Sequence, residues 1–115
     1  MVREEGVDRV ESTWESMAQE LLKSSYRPLM EILLRAAQQA AYGKGLIRHS
    51  DGKPFMEQPW KRSARLFGWG FLLGQADKKI GEALRLDPTR AVEELLGAIV
   101  HLGMAVIVEE ELDEL

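Results

Sequence analysis

The sequence predicts an all-α protein, a compact bundle of four to five helices. Three observations carry this. Apolar residues recur at spacings of three and four along most of the chain. Strand-like alternation never lasts four residues between turn signals, and prolines stand where helices would begin. The 115 residues are 45% hydrophobic and 30% charged, the balance of a folded globular chain. That length suits one domain, residues 1–115, with a core large enough to need no metal or disulfide. Cysteine is absent, which excludes a disulfide framework and a thiolate metal site.

The first helix is expected over residues 7–24, where Val7, Val10, Trp14, Met17 and Leu21 share a stripe opposite Glu11, Glu15 and Glu20. The second runs from Pro28, placed at its first position, to about Tyr42, with Leu29, Ile32, Leu33, Ala36, Ala37 and Ala40 inward and Gly43 as C-cap. A long loop, GKGLIRHSDGKPFMEQPW, then spans 43–60. Helix connections in compact domains usually take two to eight residues, and longer ordered ones lean towards function. Pro59 can start the helix PWKRSARLF, with a kink at GWG before a longer helix over Phe71–Leu86. On that helix Leu73, Ala76, Ile80 and Ala83 form the apolar line, leaving Gln75, Lys78, Lys79, Glu82 and Arg85 outward.

Asp87-Pro88 pairs a capping acid with a first-turn proline and opens a last helix reaching about Leu112, followed by a frayed acidic end over 109–115. Between Leu95 and Val108 this helix is apolar around nearly its whole circumference. One side therefore faces the core and another a second subunit, with Gly97, Ala98 and Gly103 allowing close approach in a homodimer. Its apolar run, residues 97–108, is shorter than a bilayer core of about 30 Å demands, so it reads as a buried helix and not a membrane span. The acidic N-terminus lacks the basic-then-apolar pattern of a signal peptide, which predicts a cytoplasmic protein.

Charge is unevenly spread. Residues 1–42 hold five basic and seven acidic residues, 43–90 hold ten and five, and 91–115 hold none and seven, summing to −4. A basic middle between acidic ends attracts a phosphate-bearing ligand, or the acidic tail of a neighbouring chain. The loop supplies a pocket for the first of these. Lys44, Arg48 and His49, with Lys78 and Lys79, would hold phosphates; Phe55 or Trp60 would stack on a base; Gln58 or Gln75 would read its edge. The bland reading is a loop pinned by Phe55 and Trp60 with solvated charges. GKG lacks the GxxxxGK[ST] spacing of a phosphate-binding P-loop. His101, with Glu94 two turns earlier on nearly the same face, could be an oriented general base, although a histidine among Val100, Leu102 and Met104 reads first as a satisfied core residue. No HxH or HExxH spacing supports zinc. The carboxylates available for Mg²⁺ chemistry are Glu93 and Glu94, with Asp77 or Glu82.

The segment LLGQADKKIGEALRLDPTRAVEELLGAIVHLGMAVIV resembles the two central helices of the MazG-like all-α nucleoside triphosphate pyrophosphohydrolases. That family carries ExxE before a stretch like EALR on one helix and EExxD on the next. Aligned on EALR (82–85) and EELLG (93–97), the chain keeps Glu93 and Glu94 but has Ala76 and Lys79 at the ExxE positions and Gly97 in place of the aspartate. The resemblance implies a helical dimer with a nucleotide-sized cleft. It also implies Glu93 and Glu94 as catalytic acids with Mg²⁺ if the chain hydrolyses its ligand.

The expectation from sequence is a protein that captures a nucleotide or similar phosphate ligand and more readily sequesters than cleaves it. The alternatives are a MazG-like hydrolase and a helical interaction module without a small-molecule ligand. A DNA-binding helix-turn-helix is disfavoured, because its second helix would present Glu93 and Glu94 to phosphates.

Overall fold

The computed structural model describes residues 13–43 and 50–113. Among them every regular element is helical: α1 (residues 13–22), α2 (Arg27–Tyr42), one 3₁₀ turn (Phe55–Glu57), α3 (Pro59–Phe67), α4 (Gly70–Ala83) and α5 (Pro88–Asp113). The chain divides into two compact units, Met1–Leu34 and Arg35–Leu115.

In the first unit, Ser24 and Arg27 make the corner between α1 and α2. The Ser24 hydroxyl donates to the Leu21 carbonyl at 2.7 Å and accepts the Tyr26 N–H at 3.1 Å. Arg27 donates to the Leu22 carbonyl at 2.9 Å, satisfying an acceptor at the end of α1, and to Glu31 at 2.6 Å one turn along α2. Helix α2 begins at Arg27, so Pro28 is its second residue and not its first. Trp14, Met17, Leu21, Leu29 and Leu33, expected to face inward, are exposed.

The second unit is built on the antiparallel pairing of α4 with α5. The corner between them follows the capping expectation closely. Asp87 accepts the Arg90 N–H on its carboxylate at 3.2 Å and the Ala91 N–H on its carbonyl at 2.8 Å, with Pro88 at the first helical position. Arg90 donates to the same carboxylate at 2.8 Å and is the chief reason the Asp87 pKa lies below its usual range. The break before α4 is real: Gly68 adopts φ 80°, ψ 168°, which a side chain would resist. Gly43 closes α2 by donating to Gln39 at 3.0 Å without a left-handed conformation.

The main core gathers Trp60 and Ala64 of α3, Leu72 of α4, and Met104, Ala105 and Val108 of α5, with Phe55, Phe71, Val100 and Ile107 around it. This corrects the predicted face of α4. Its buried line runs through Leu72 and Ala76, with Gln75, Lys79 and Ala83 partly buried beside it, while Leu73 and Ile80 are exposed. Phe71, Leu72 and Leu73 offer apolar surface on adjacent shoulders, so periodicity alone leaves the rotation open. In the observed rotation Leu72 and Ala76 enter the core and Lys79 turns inward to meet an acid on α5.

Helix α5 has two apolar faces. Leu96, Ala98, Met104, Ala105 and Val108 are buried. Gly97 and Ala98, expected to admit a second subunit, lie on this inner side, whereas a side chain added at Gly103 would meet open space. The stretch Pro88–Glu111 is also long and apolar enough to cross a membrane, its most apolar 18 residues having a mean hydropathy of 1.9, which the shorter 97–108 run did not suggest.

Candidate functional site

The loop expected to cradle a ligand can be followed from Ser50 onward; Lys44, Arg48 and His49 lie outside the described residues. From Ser50 the chain spends its polar groups on itself. Lys53 N–H donates to the Ser50 carbonyl at 2.9 Å, across Asp51 (φ 51°) and Gly52 (φ 69°), the pattern of a type I′ turn. The Ser50 hydroxyl accepts the Gly52 N–H at 3.2 Å. Gln58, expected to read a base edge, is buried and donates to the Lys53 carbonyl at 3.0 Å.

The two aromatics expected to stack on a base pack on each other. Their ring centroids are 5.1 Å apart at 40°, and the Trp60 indole N–H donates to the Phe55 carbonyl at 2.8 Å. Trp60 is only 6% exposed and belongs to the core. Next to it Lys61 is buried too, its ammonium 2.6 Å from Glu111 on α5. The structure thus brings Phe55, Gln58 and Trp60 together as the anchor that fastens this segment to the C-terminal half of α5.

Of the α4 residues, Lys78 is exposed, Gln75 is half-buried, and Lys79 points into the pairing with α5. Its ammonium is 3.5 Å from the Glu94 carboxylate, both side chains being largely shielded. Its stem crosses Gly97, where an added Cβ would come within 3.0 Å of Lys79 Cδ. The absence of a side chain at Gly97 makes room for this lysine. Glu93 receives the Gln39 amide on its backbone carbonyl at 3.0 Å. Among the described residues no three His, Asp or Glu side chains converge on one point.

His101 completes a polar strip along the inner face of α5. Its Nδ1 lies 2.9 Å from the Gly97 carbonyl oxygen, so that nitrogen carries the hydrogen. Burial lowers its pKa from the ordinary 6.5 and the positive charge of Lys79 adds to this, while the bond to Gly97 opposes them. The imidazole is therefore held towards its neutral form. Lys79, Glu94, Gly97 and His101 together form a satisfied internal network; no buried side-chain polar atom among the described residues lacks a partner.

Two surface features were not foreseen in this form. An open hollow of about 510 Å³ sits between the second half of α2 and the first turns of α5, lined by Arg35, Gln39, Thr89, Val92, Glu93 and Leu96. Beside it the outer face of α5 carries Val92, Leu95, Ile99, Leu102 and Val106 at spacings of three, four, three and four. Leu95 (44%), Leu102 (45%) and Val106 (56%) are exposed, and Ile99 is partly so. The 3-4 spacing was already in the sequence; only burial separates this stripe from the one facing α4.

The chain matches no protein-family model, no curated protein and no solved structure.

Proposed function

We propose that this chain is a helical self-association module that pairs with a second copy of itself through the outer face of α5. The single observation carrying this is the stripe Val92, Leu95, Ile99, Leu102 and Val106, which keeps the heptad spacing of a coiled-coil seam and of which Val92, Leu95, Leu102 and Val106 are exposed. Completing the burial of a half-exposed aliphatic side chain contributes about 1 kcal/mol. Five such residues from each of two chains give roughly 10 kcal/mol, within the range of about 4–15 kcal/mol that association costs. The pairing is therefore concentration-dependent, and sequence differences at the seam decide it.

Sedimentation over a wide concentration range tests the reading. The native chain moves from monomer to dimer, while a Leu95→Glu, Leu102→Glu variant with an unchanged helical circular dichroism spectrum stays monomeric. A native chain that remains monomeric at every concentration sinks the proposal.

A phosphate-bearing ligand is the second reading, favoured by the ten basic against five acidic residues over 43–90. Its remaining candidates are Lys44, Arg48, His49, Gln75 and Lys78, because Phe55, Gln58, Trp60 and Lys79 are engaged internally. Calorimetric titration with a nucleotide panel, with and without Mg²⁺, decides it. Absence of heat in both series ends the binding reading and the hydrolase reading with it.

A further inference from the structure

We infer that the two copies run antiparallel, each bringing the acidic end of its α5 to the Arg35 side of the other's first turns; this rests on the self-association reading. One feature of α5 permits that orientation and two further features favour it. The spacing of the outer stripe reads as well backwards as forwards. When the helix is reversed about a point between Ile99 and Leu102, Ile99 faces the partner's Leu102 and Leu95 faces the partner's Val106. Every apolar layer but the outermost is kept.

Charge breaks the tie between orientations. Residues 91–115 hold seven acids and no base, and the alternation of the outer stripe continues to Glu109, one turn beyond Val106, with Glu110 flanking it. Parallel pairing would set Glu109 against the partner's Glu109 and align two acidic ends. Antiparallel pairing instead carries Glu109 and Glu110 to the partner's first helical turns, where unsatisfied backbone N–H groups favour negative charge.

The hollow supplies the third feature. Arg35 is exposed and lines that open depression together with Val92, the first residue of the stripe. A cation thus stands beside the N-terminal end of the seam, where the reversed register delivers the partner's acidic turn. An isologous pair contains this contact twice.

The absence of cysteine makes the orientation directly readable. Leu95→Cys and Val106→Cys are prepared as separate variants and oxidised alone and mixed. In the antiparallel pair the two copies of position 95 lie eleven residues apart along the axis, about 16 Å, far beyond the roughly 7 Å between Cα atoms that a disulfide spans. Disulfide-linked dimer is therefore expected in the mixture and not in either variant alone. Efficient cross-linking of Leu95→Cys with itself overturns the inference.

Glu110→Gln gives a second readout of opposite sign for the two orientations. It weakens an antiparallel dimer by about two- to five-fold, the worth of an exposed ion pair, and strengthens a parallel one. If the native chain shows no dimer by sedimentation, self-association itself fails; a dimer that cross-links in parallel overturns only the orientation.

Discussion

On one side of α5, Leu96, Met104, Ala105 and Val108 are closed off by neighbouring helices, whereas on the other Leu95, Leu102 and Val106 stand in solvent. Residue type does not distinguish the two faces, and the more polar of them is the buried one. The inner face holds Glu94 and His101, the outer stripe none but aliphatic residues until Glu109. The inner face can bury polar groups because α4 delivers Lys79 to Glu94, and the backbone of Gly97 accepts from His101. A face that finds partners for its polar atoms becomes core, whereas the wholly aliphatic face is left exposed.

The sharpest contrast is between Leu72, wholly buried where α4 meets α5, and Leu102 on the outer face. Leu72→Ala should cost about 2–5 kcal/mol in denaturant unfolding through the cavity it leaves. Leu102→Ala, measured at dilute protein where the chain is monomeric, should cost no more than about 1 kcal/mol, because half of that side chain is already exposed. Equal losses would mean that Leu102 is already packed, and would remove the distinction between the faces.

The ion pairs sharpen the same comparison. Glu94→Gln leaves the shielded Lys79 ammonium without its counter-charge and should cost about 1–3 kcal/mol. Glu31→Gln removes the exposed partner of Arg27 and should cost less than about 0.5 kcal/mol. If the two variants unfold alike, the inner pair is as solvated as the outer one.

Acid titration probes the inner face again. The His101 pKa is lowered on folding, so below its ordinary 6.5 the unfolded chain binds more protons than the folded one. The contribution of neutral His101 is complete above that pH and is lost as pH falls through the folded-state pKa. Its slope cannot exceed about 1.4 kcal/mol per pH unit. His101→Leu should flatten that part of the stability profile, and an unchanged slope would assign it to other groups.

The two glycines of α5 give the smallest effect. Gly103→Ala enters open space and should stabilise the monomer by about 0.5–1 kcal/mol through helix propensity. At Gly97 the same methyl meets Lys79 at 3.0 Å, so the gain should be cancelled as the lysine is pushed off Glu94. Equal stabilisation at both sites would show that Lys79 yields without loss.

Much of the fold was legible because it rests on local chemistry. The Asp87-Pro88 start of α5, the break at Gly68 and the start of α3 at Pro59 depend on neighbours within a turn, and all appear in the structure. The candidate site was less legible. Phe55, Gln58 and Trp60 are the residue types that bind a base, but they are also the types that anchor a segment to a core. Nothing local reveals whether an aromatic ring will find a ligand or its neighbour.

By itself, then, the sequence determined the helical class, the corners and the apolar character of α5, since periodicity, capping and backbone preference act over a few residues. Only the tertiary structure decided which way α4 turns, that Lys79 joins Glu94, and which of the two apolar faces of α5 is closed. Those outcomes depend on the desolvation of polar groups against partners fifteen or more residues away in the chain, and one helix's pattern holds no record of what will stand opposite it.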